Sequence, residues 1–399
     1  MTFLSSPAFH VVLVFSVIIA AAALVMTLVN LGYYRGTKPS PRRPAVRGDT
    51  GHDVTVAVCI PARNEETNIE ACVRSALDSD HPRVEALVYD DQSTDRTPEI
   101  LAALTQSDPR VIRADTRPLP AGWVGKQWAC ERLGCAALDR GADWLLFTDA
   151  DVRFDRAVIP AALDAARRLD ADLISTFPRQ ITGSLAERLI VPLIHFILFS
   201  YLPMGQMRGS NSPAASAGCG QFLFVSRRAY EACGGHAAWP DSMHDGIRMP
   251  RAVRSAGLHS DLFDARDLVR CRMYRGLAQT WRGFAKNAYE GLGSLPLLIF
   301  LTALHIVGHV LPPLLILLHL LGARLTTPAL ILASVAALLA LAQRLVLARH
   351  FSQSLIGALL HPLGVALMTA IQWHSFALHL SGKRQWRGRT TAPQAASTP

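Results

Sequence analysis

An α/β domain on a mostly parallel sheet, flanked by apolar helices at both ends of the chain, is the architecture the sequence predicts. Between residues 54 and 148 short β-branched runs alternate with helical periodicity, and long uncharged apolar stretches lie outside that region. The third observation is compositional. Half of the 399 residues are hydrophobic while 18% remain charged, so the apolar residues are gathered into segments rather than spread evenly.

No charged residue occurs from Val11 to Leu31, and about 20 apolar residues suffice for a helix to cross the hydrocarbon core. This places an N-terminal transmembrane helix at residues 9–33. A cleaved signal peptide would carry Lys or Arg ahead of a run of about 7 to 15 residues; this run is longer and no such charge precedes it. Arg35, Lys38, Arg42, Arg43 and Arg47 follow in a basic linker, residues 34–53. Cationic flanks stay on the cytoplasmic side, so the next domain is expected in the cytoplasm, on a multi-pass protein of the cell membrane. The net charge of +9 fits a nucleic-acid partner in sign. Much of it lies beside apolar segments, where anionic headgroups are nearer, so a membrane partner and no nucleic acid are expected. Seven cysteines with no CxxC pair and no metal-ligand spacing fit reduced cytoplasmic thiols.

The main domain is placed at residues 54–290. Strand-like runs at 54–60, 85–89, 111–114 and 144–148 alternate with helical patterns at 65–77, around Ile100 and at 126–138. In such sheets ligands bind beyond the carboxyl ends of the strands. Polar clusters at 61–65, 90–95 and 149–151 follow three of these strands and are expected to converge. Residues 184–204 are apolar but broken by Pro192. A full crossing there would split the site, so the segment reads as an interfacial or membrane-associated helix, with a plain core helix fitting the pattern equally. C-terminal membrane helices occupy 295–381, as apolar stretches at 295–321, 327–347 and 355–380. Pro312 and Pro313 interrupt the first, which leaves a re-entrant or hairpin-like element open. An odd number of crossings would put Lys383, Arg384, Arg387 and Arg389 of the basic tail, residues 382–399, outside the cell, against the positive-inside tendency. The number of crossings is therefore open. His305 and His309 share one helix face and read as interhelical hydrogen-bonding groups rather than as two ligands of a metal.

Asp149-Ala150-Asp151 follows a buried strand, and alternation in an extended chain points both carboxylates to one side. Mg2+ or Mn2+ takes one or two carboxylates together with phosphate oxygens and water, so an open Asp-x-Asp suits a diphosphate-bound ion. The tripeptide is common on solvated loops, and its place after the strand gives it weight. Asp90 and Asp91 suit a nucleobase imide or ribose hydroxyls, while Asp95 suits capping of the following helix. In residues 122–128 two glycines open onto a helix that starts with Lys126, where a cation can meet phosphate; a solvated lysine is the ordinary alternative. No Gly-x-x-x-x-Gly-Lys-Ser/Thr or Gly-x-Gly-x-x-Gly follows a strand, and Gly-x-Ser-x-Gly does not occur. P-loop nucleotidases, dinucleotide oxidoreductases and nucleophile-elbow hydrolases therefore lack their defining residues.

Cys59-Ile60-Pro61-Ala62-Arg63-Asn64-Glu65-Glu66, residues 90–97 and Thr148-Asp149-Ala150-Asp151 resemble the ordered signature of family 2 glycosyltransferases. The resemblance covers about residues 54–290. Gly-Trp-x-Gly-Lys-x-Trp-Ala at 122–129, the N-terminal anchor and residues 274–287 are similar to a branch containing hopanoid-associated and carotenoid glycosyltransferases. The resemblance implies a GT-A fold, a nucleotide-sugar donor, UDP-linked by preference, Mg2+ or Mn2+, and inversion at the anomeric carbon. By position it implies donor contacts from Pro61, Ala62, Glu65, Asp90, Asp91, Lys126 and Asp149, with Asp149 and Asp151 at the metal. Members carry a later acidic pair whose second Asp is the base; here the pair reads His244-Asp245. Asp245 keeps the base, while His244 departs from the pattern and leaves the neighbouring acceptor contacts open. Processive members carry Gln-x-x-Arg-Trp, and Gln279-Thr280-Trp281-Arg282 holds these residues in another order. That favours single-sugar transfer, with Trp281 and Arg282 expected at the acceptor opening. The expected function is transfer of one sugar to a lipid hydroxyl at the cytoplasmic membrane face. The alternatives are a processive polysaccharide synthase and a non-catalytic nucleotide-sugar-binding membrane protein.

Overall fold

In the computed structural model, which describes residues 6–35 and 53–381 and the backbone of Gln385–Trp386 and Arg389–Thr390, strand β1 (Val56–Ala62) is buried along its whole length. Lys38, Arg42, Arg43 and Arg47 of the linker, and Lys383, Arg384 and Arg387 of the tail, lie outside the described residues. The chain divides into two compact units. One comprises residues 1–32, 182–203 and 274–381, the other 33–181, 204–273 and 382–399.

In the second unit, Val56, Val58, Ile60 and Ala62 of β1 join one hydrophobic core, and Ala57 and Cys59 join another. Successive side chains of a strand point to opposite faces, so a strand covered on both faces must be apolar throughout. Strand β2 (Val84–Asp90) repeats the division, with Val84, Ala86 and Val88 in the first core and Leu87 and Tyr89 in the second. The remaining strands are β3 (Val111–Arg113), β4 (Trp144–Phe147), β5 (Val152–Phe154), β6 (Leu173–Ser175), β7 (Arg179–Gln180), β8 (Leu223–Ser226), β9 (Ser260–Leu262) and β10 (Val269–Cys271). A seven-stranded sheet has the order β3-β2-β1-β4-β8-β6-β9, and β5-β10-β7 form a smaller one.

The pairs β3–β2, β2–β1 and β1–β4 are parallel, as the alternation of strands and helices implies. Beyond β4 the sheet is mixed, because β8 runs antiparallel to both β4 and β6. This reversal brings the residues preceding β8 to the edge where β1, β2 and β4 end, since Leu223 pairs with Phe147. Helix Ile69–Leu77 packs with Ile69, Cys72, Val73, Ala76 and Leu77, the three-to-four spacing of one helix face.

Among the described residues three helices are long and apolar enough to cross a membrane: Pro7–Tyr34, Leu295–Leu320 and Thr327–His350. Val11, Phe15, Ile18, Phe300, Leu317 and Leu338 on these helices are exposed, a pattern that suits lipid rather than water. Ala329, Ala333, Ala336 and Ala340 form the buried stripe of the third, and small residues let helix backbones approach. The second is one continuous helix despite Pro312 and Pro313. A π-helical segment, Ile306–Val310, precedes the prolines, and such a turn absorbs the hydrogen-bond register that proline breaks. The re-entrant alternative is thus not what the chain adopts. The last apolar stretch forms helices Leu355–Leu359 and His361–Leu380 and is not among the three.

Buried polar groups tie these helices together. The Gln343 amide donates to Ala23 O (3.2 Å), Thr27 Oγ1 (2.9 Å) and Ser200 Oγ (2.7 Å), and Asn30 Nδ2 donates to Phe199 O (2.9 Å) and Leu202 O (2.7 Å). Residues 185–201 form two short helices, Leu185–Ile190 and Leu193–Tyr201, with Pro192 between them, and neither has spanning length. Ser184 and Glu187 form a capping box at the first.

Glu187 is 1% exposed. Its carboxylate accepts from Gly183 N (2.7 Å), Ser184 Oγ (2.7 Å) and Gly276 N (2.7 Å). Burial would raise its pKa, but these bonds outweigh it and bring the group from the ordinary 4.5 down to about 2. A depressed carboxylate stabilises the fold fully above its unfolded pKa, and the contribution fades as pH falls from about 4.5 towards 2. We predict that Glu187→Gln destabilises the detergent-solubilised protein at pH 7 by about 1–3 kcal/mol. The difference in melting temperature between parent and variant should shrink over that acid range.

Candidate active site

The ends of β1 and β2 are laced together before any ligand is considered. Asp91 N donates to Ala62 O (2.8 Å), Asn64 N to Ser93 Oγ (2.9 Å), Thr94 N to Asn64 Oδ1 (2.8 Å) and Glu65 N to Thr97 Oγ1 (2.8 Å). Asn64 and Gln92 hold φ of 54° and 55°, in the left-handed region that asparagine tolerates better than most residues. Asp95 accepts from Thr97 N, the first residue of helix Thr97–Ser107, at 3.0 Å and from Glu66 N at 3.1 Å, while Arg96 rather than Asp95 holds the capping position. Pro61 and Ala62 are the last residues of β1. Asp91 pairs with Arg63 at 3.6 Å. Asp90 is committed locally, its two oxygens meeting Ser93 N (3.1 Å) and Arg113 Nη2 (3.2 Å).

Helix Gly125–Asp139 carries Lys126 in its first turn. Lys126 Nζ lies 2.6 Å from Asp149 Oδ1 and 3.3 Å from Asp245 Oδ2, so one ammonium joins the end of β4 to the start of helix Asp245–Ser255. Burial opposes its charge, but Asp149 and Asp245 together hold it well above the ordinary lysine value. Asp245 is 4% exposed. Burial would raise this carboxyl; Lys126 above all, with the Gln127 amide, outweighs that and keeps it below its ordinary value. Asp245 is therefore an ionised, buried carboxylate.

Gln127 supports it directly. Its Nε2 donates to Asp245 Oδ1 at 2.6 Å and to Ser242 O at 2.7 Å. A glycine lets the backbone close in: a Cβ on Gly246 would sit 2.5 Å from Gly218 O, and Gly220 lies beside Asp245 and Lys126. The loop 218–221 thus lies directly against Asp245. Behind it His236 is fully buried, bonded through Nδ1 to Tyr230 Oη at 3.0 Å. Burial, with Lys126 adding to it against Asp245, brings this imidazole down to about 4 and keeps it neutral.

Asp151 sits where β4 passes into β5, next to β10, and its Oδ1 is buried without a hydrogen-bond partner among the described residues. Burial, then the charges of Asp149 and Glu65, push this carboxyl up to about 7. An orphaned carboxylate oxygen beside a partly exposed Asp149 fits a divalent cation, which would supply the compensating charge. Two protein carboxylates leave coordination positions for diphosphate oxygens and water. Among the described residues no group of three or more His, Cys, Asp or Glu side chains that could hold a metal ion occurs.

The structure brings together Glu65, Lys126, Asp149, Asp151 and Asp245. His244 directly precedes helix Asp245–Ser255 and is half-buried, with its N–H donating to Ser242 Oγ at 3.2 Å. Trp281 and Arg282 belong to helix Gly276–Ala285 of the other unit, where Trp281 Nε1 donates to His374 Nδ1 at 2.9 Å. Gln127 and His236 were not singled out by the sequence. For Gln127 the signal was its place directly after Lys126 at the helix start; for His236 only the preceding pair of glycines pointed to the region.

Residues 57–234 match the model of glycosyl transferase family 2. The 4,4'-diaponeurosporenoate glycosyltransferase of Staphylococcus haemolyticus is 28% identical over 263 residues, 64% of this chain and 66% of that protein. The glycosyltransferase AglD of Haloferax volcanii is 33% identical over 158 residues, 38% of this chain and 23% of its own. The chain thus matches just under two thirds of the first relative's length and about a quarter of the second's. The solved structure of a mannosyltransferase from Pyrobaculum calidifontis, in complex with GDP-Man and Mn2+, aligns over 92% of this chain and 99% of that one, with a TM-score of 0.52 and 17% identity. That likeness is one of fold, and the fold is GT-A.

If Gln127 orients Asp245, removing its amide should act on turnover rather than on donor affinity. We predict that Gln127→Leu lowers kcat by about 10- to 100-fold with donor KM little changed. Gln127→Glu, which sets a carboxylate against Asp245, should be worse. Steady-state kinetics of nucleoside diphosphate release checks both.

Proposed function

We propose, from the premise that this chain carries a family 2 glycosyltransferase domain, that it moves a single sugar from a nucleotide-diphosphate sugar, UDP-linked by preference, to a hydroxyl of a membrane lipid with inversion at the anomeric carbon. The observation that carries this reading is Lys126, held between Asp149 at 2.6 Å and Asp245 at 3.3 Å. A donor-side carboxylate, a cation suited to the leaving diphosphate and an ionised base meet in one contact chain.

Asp245 accepts the proton of the acceptor hydroxyl as that oxygen bonds to the anomeric carbon from the face opposite the diphosphate. The bond from carbon to diphosphate oxygen breaks, and its electron pair leaves with the diphosphate. Lys126 moves from its two carboxylates to that developing charge, and electrostatic help of this kind acts most strongly in a water-poor site. Asp149 and Asp151 would hold Mg2+ or Mn2+, which supplies further neutralisation of the diphosphate. General-base assistance contributes about 10²- to 10⁴-fold in rate. Pro61, Ala62, Glu65 and Asp91 lie at strand ends suited to the nucleoside, with Asp90 shaping the turn beneath it. His244 is assigned to the acceptor.

The lipid acceptor is supported by the apolar spans and by the carotenoid-derived name of the Staphylococcus relative. Helices Leu295–Leu320 and Thr327–His350 are long and apolar enough for a pair of crossings, which would return the chain to the side it left. With the basic linker and tail both cytoplasmic, as cationic segments prefer, the domain faces the cytoplasm of a multi-pass membrane protein.

Incubating purified protein, Mn2+ and a panel of nucleotide-sugars with a lipid extract, followed by mass spectrometry, tests the reading. We expect a lipid heavier by one hexose, formed by the parent and not by Asp245→Asn. Ladders of many sugars would establish the processive synthase instead, and donor binding without any product would establish the non-catalytic reading.

A further inference from the structure

The apolar unit buries a cationic, donor-rich cluster that the proposed transfer does not use. Arg344, on helix Thr327–His350, is 1% exposed, and it forms no ion pair among the described residues. Its Nε and Nη1 are buried without hydrogen-bond partners. His305 is 1% exposed with both ring nitrogens unpartnered. His309 Nδ1 and His361 Nε2 lie 3.4 Å apart, leaving His309 Nε2 and His361 Nδ1 unpartnered. The sequence expectation of interhelical hydrogen bonding is met for His309, though not for His305.

The three imidazoles surround one phenyl ring. Phe196 lies 6.0 Å from His305, 4.8 Å from His309 and 4.7 Å from His361, between ring centroids. Helix Thr327–His350, which carries Arg344, packs against the π-helical segment that carries His309. His309 belongs to the π-helical segment Ile306–Val310, and π-turns recur at functional positions.

A buried charge without a partner is among the least favourable arrangements in a protein, and one inside a membrane unit is by default functional. The donor count identifies its complement. Arg344 leaves three N–H groups on Nε and Nη1, His305 has one, and the His309–His361 pair leaves one whichever tautomer it adopts. A positive charge with several unsatisfied N–H donors is chemistry for an oxyanion, which guanidinium binds through paired hydrogen bonds.

Depth separates a headgroup from a free ion. Arg344 stands six residues before the end of its helix, about 9 Å along the axis. That is just inside the hydrocarbon boundary for a helix of this length. The neighbouring Leu345 and Leu338 are exposed on the same helix, so an acyl or prenyl chain has apolar surface beside the cluster. We propose that Arg344, with His305, His309 and His361, forms a binding site for the phosphate or carboxylate head of an anionic amphiphile. The site does not depend on the proposed sugar transfer.

The full chain in an uncharged detergent tests it, with melting temperature followed against dodecyl phosphate, inorganic phosphate and dodecanol. Dodecyl phosphate should raise the parent's melting temperature by on the order of 5 °C at saturation, inorganic phosphate and dodecanol by much less. Replacing an uncompensated buried charge with an apolar residue seldom destabilises. Arg344→Leu should therefore melt no lower than the parent without ligand and should lose the response. Native mass spectrometry of Arg344→Lys, which keeps the charge and loses the fork, should show about tenfold weaker retention of dodecyl phosphate. An equal response in Arg344→Leu, no response in the parent, or a full response to inorganic phosphate alone would each overturn the proposal.

Discussion

Lys126 is the constraint on which the site depends. One buried ammonium satisfies two carboxylates from distant parts of the sequence, Asp149 after β4 and Asp245 at the start of a later helix. Without it two negative groups would face each other in a region of low solvation, where like charges repel strongly. Asp151 shows the consequence: burial and its acidic neighbours push it up to about 7. The site is thus balanced at Asp245 and unbalanced at Asp151, where the proposed metal and diphosphate would complete the charge.

Topology makes this meeting possible. Parallel pairing of β1, β2 and β4 delivers three strand ends to one edge of the sheet, the edge at which α/β sheets bind ligands. The antiparallel β8 then brings residues 218–221 to that edge from the opposite direction. Gly218 and Gly246 permit the close approach, since a side chain at Gly246 would strike the Gly218 carbonyl. Thr148 Oγ1 closes the contact by donating to Gln221 O at 2.8 Å. The reversal of one strand therefore joins the Asp149 half of the site to the Asp245 half.

What the sequence made legible follows from range. Strands β1, β2 and β4 announce themselves by continuous apolar runs, and the helices between them by periodicity; Asp149, Asp151, Lys126 and Asp95 are each read from neighbours a few positions away. The first three membrane-length segments are equally plain, because their signal is a sum over some twenty residues. β5, β7, β9 and β10 are two or three residues long and carry no periodicity of their own. Gln127 needed the knowledge that residue 245 lies 2.6 Å away across 118 positions. Glu187 reads as a capping residue locally, yet its bond to Gly276 N is visible only in three dimensions. Pro312 and Pro313 misled for a related reason, since the π segment that accommodates them leaves no mark in the sequence.

The account separates donor binding, assigned to Asp149 and Asp151 with the metal, from proton removal, assigned to Asp245. Calorimetric titration of UDP with Mn2+ into the parent, Asp245→Asn and Asp151→Asn measures that separation directly. Asp245→Asn relieves Lys126 of one carboxylate and should bind the diphosphate at least as tightly as the parent, whereas Asp151→Asn should bind it at least about tenfold more weakly. Normal binding by Asp151→Asn, or an equal loss in both variants, would contradict the division of roles.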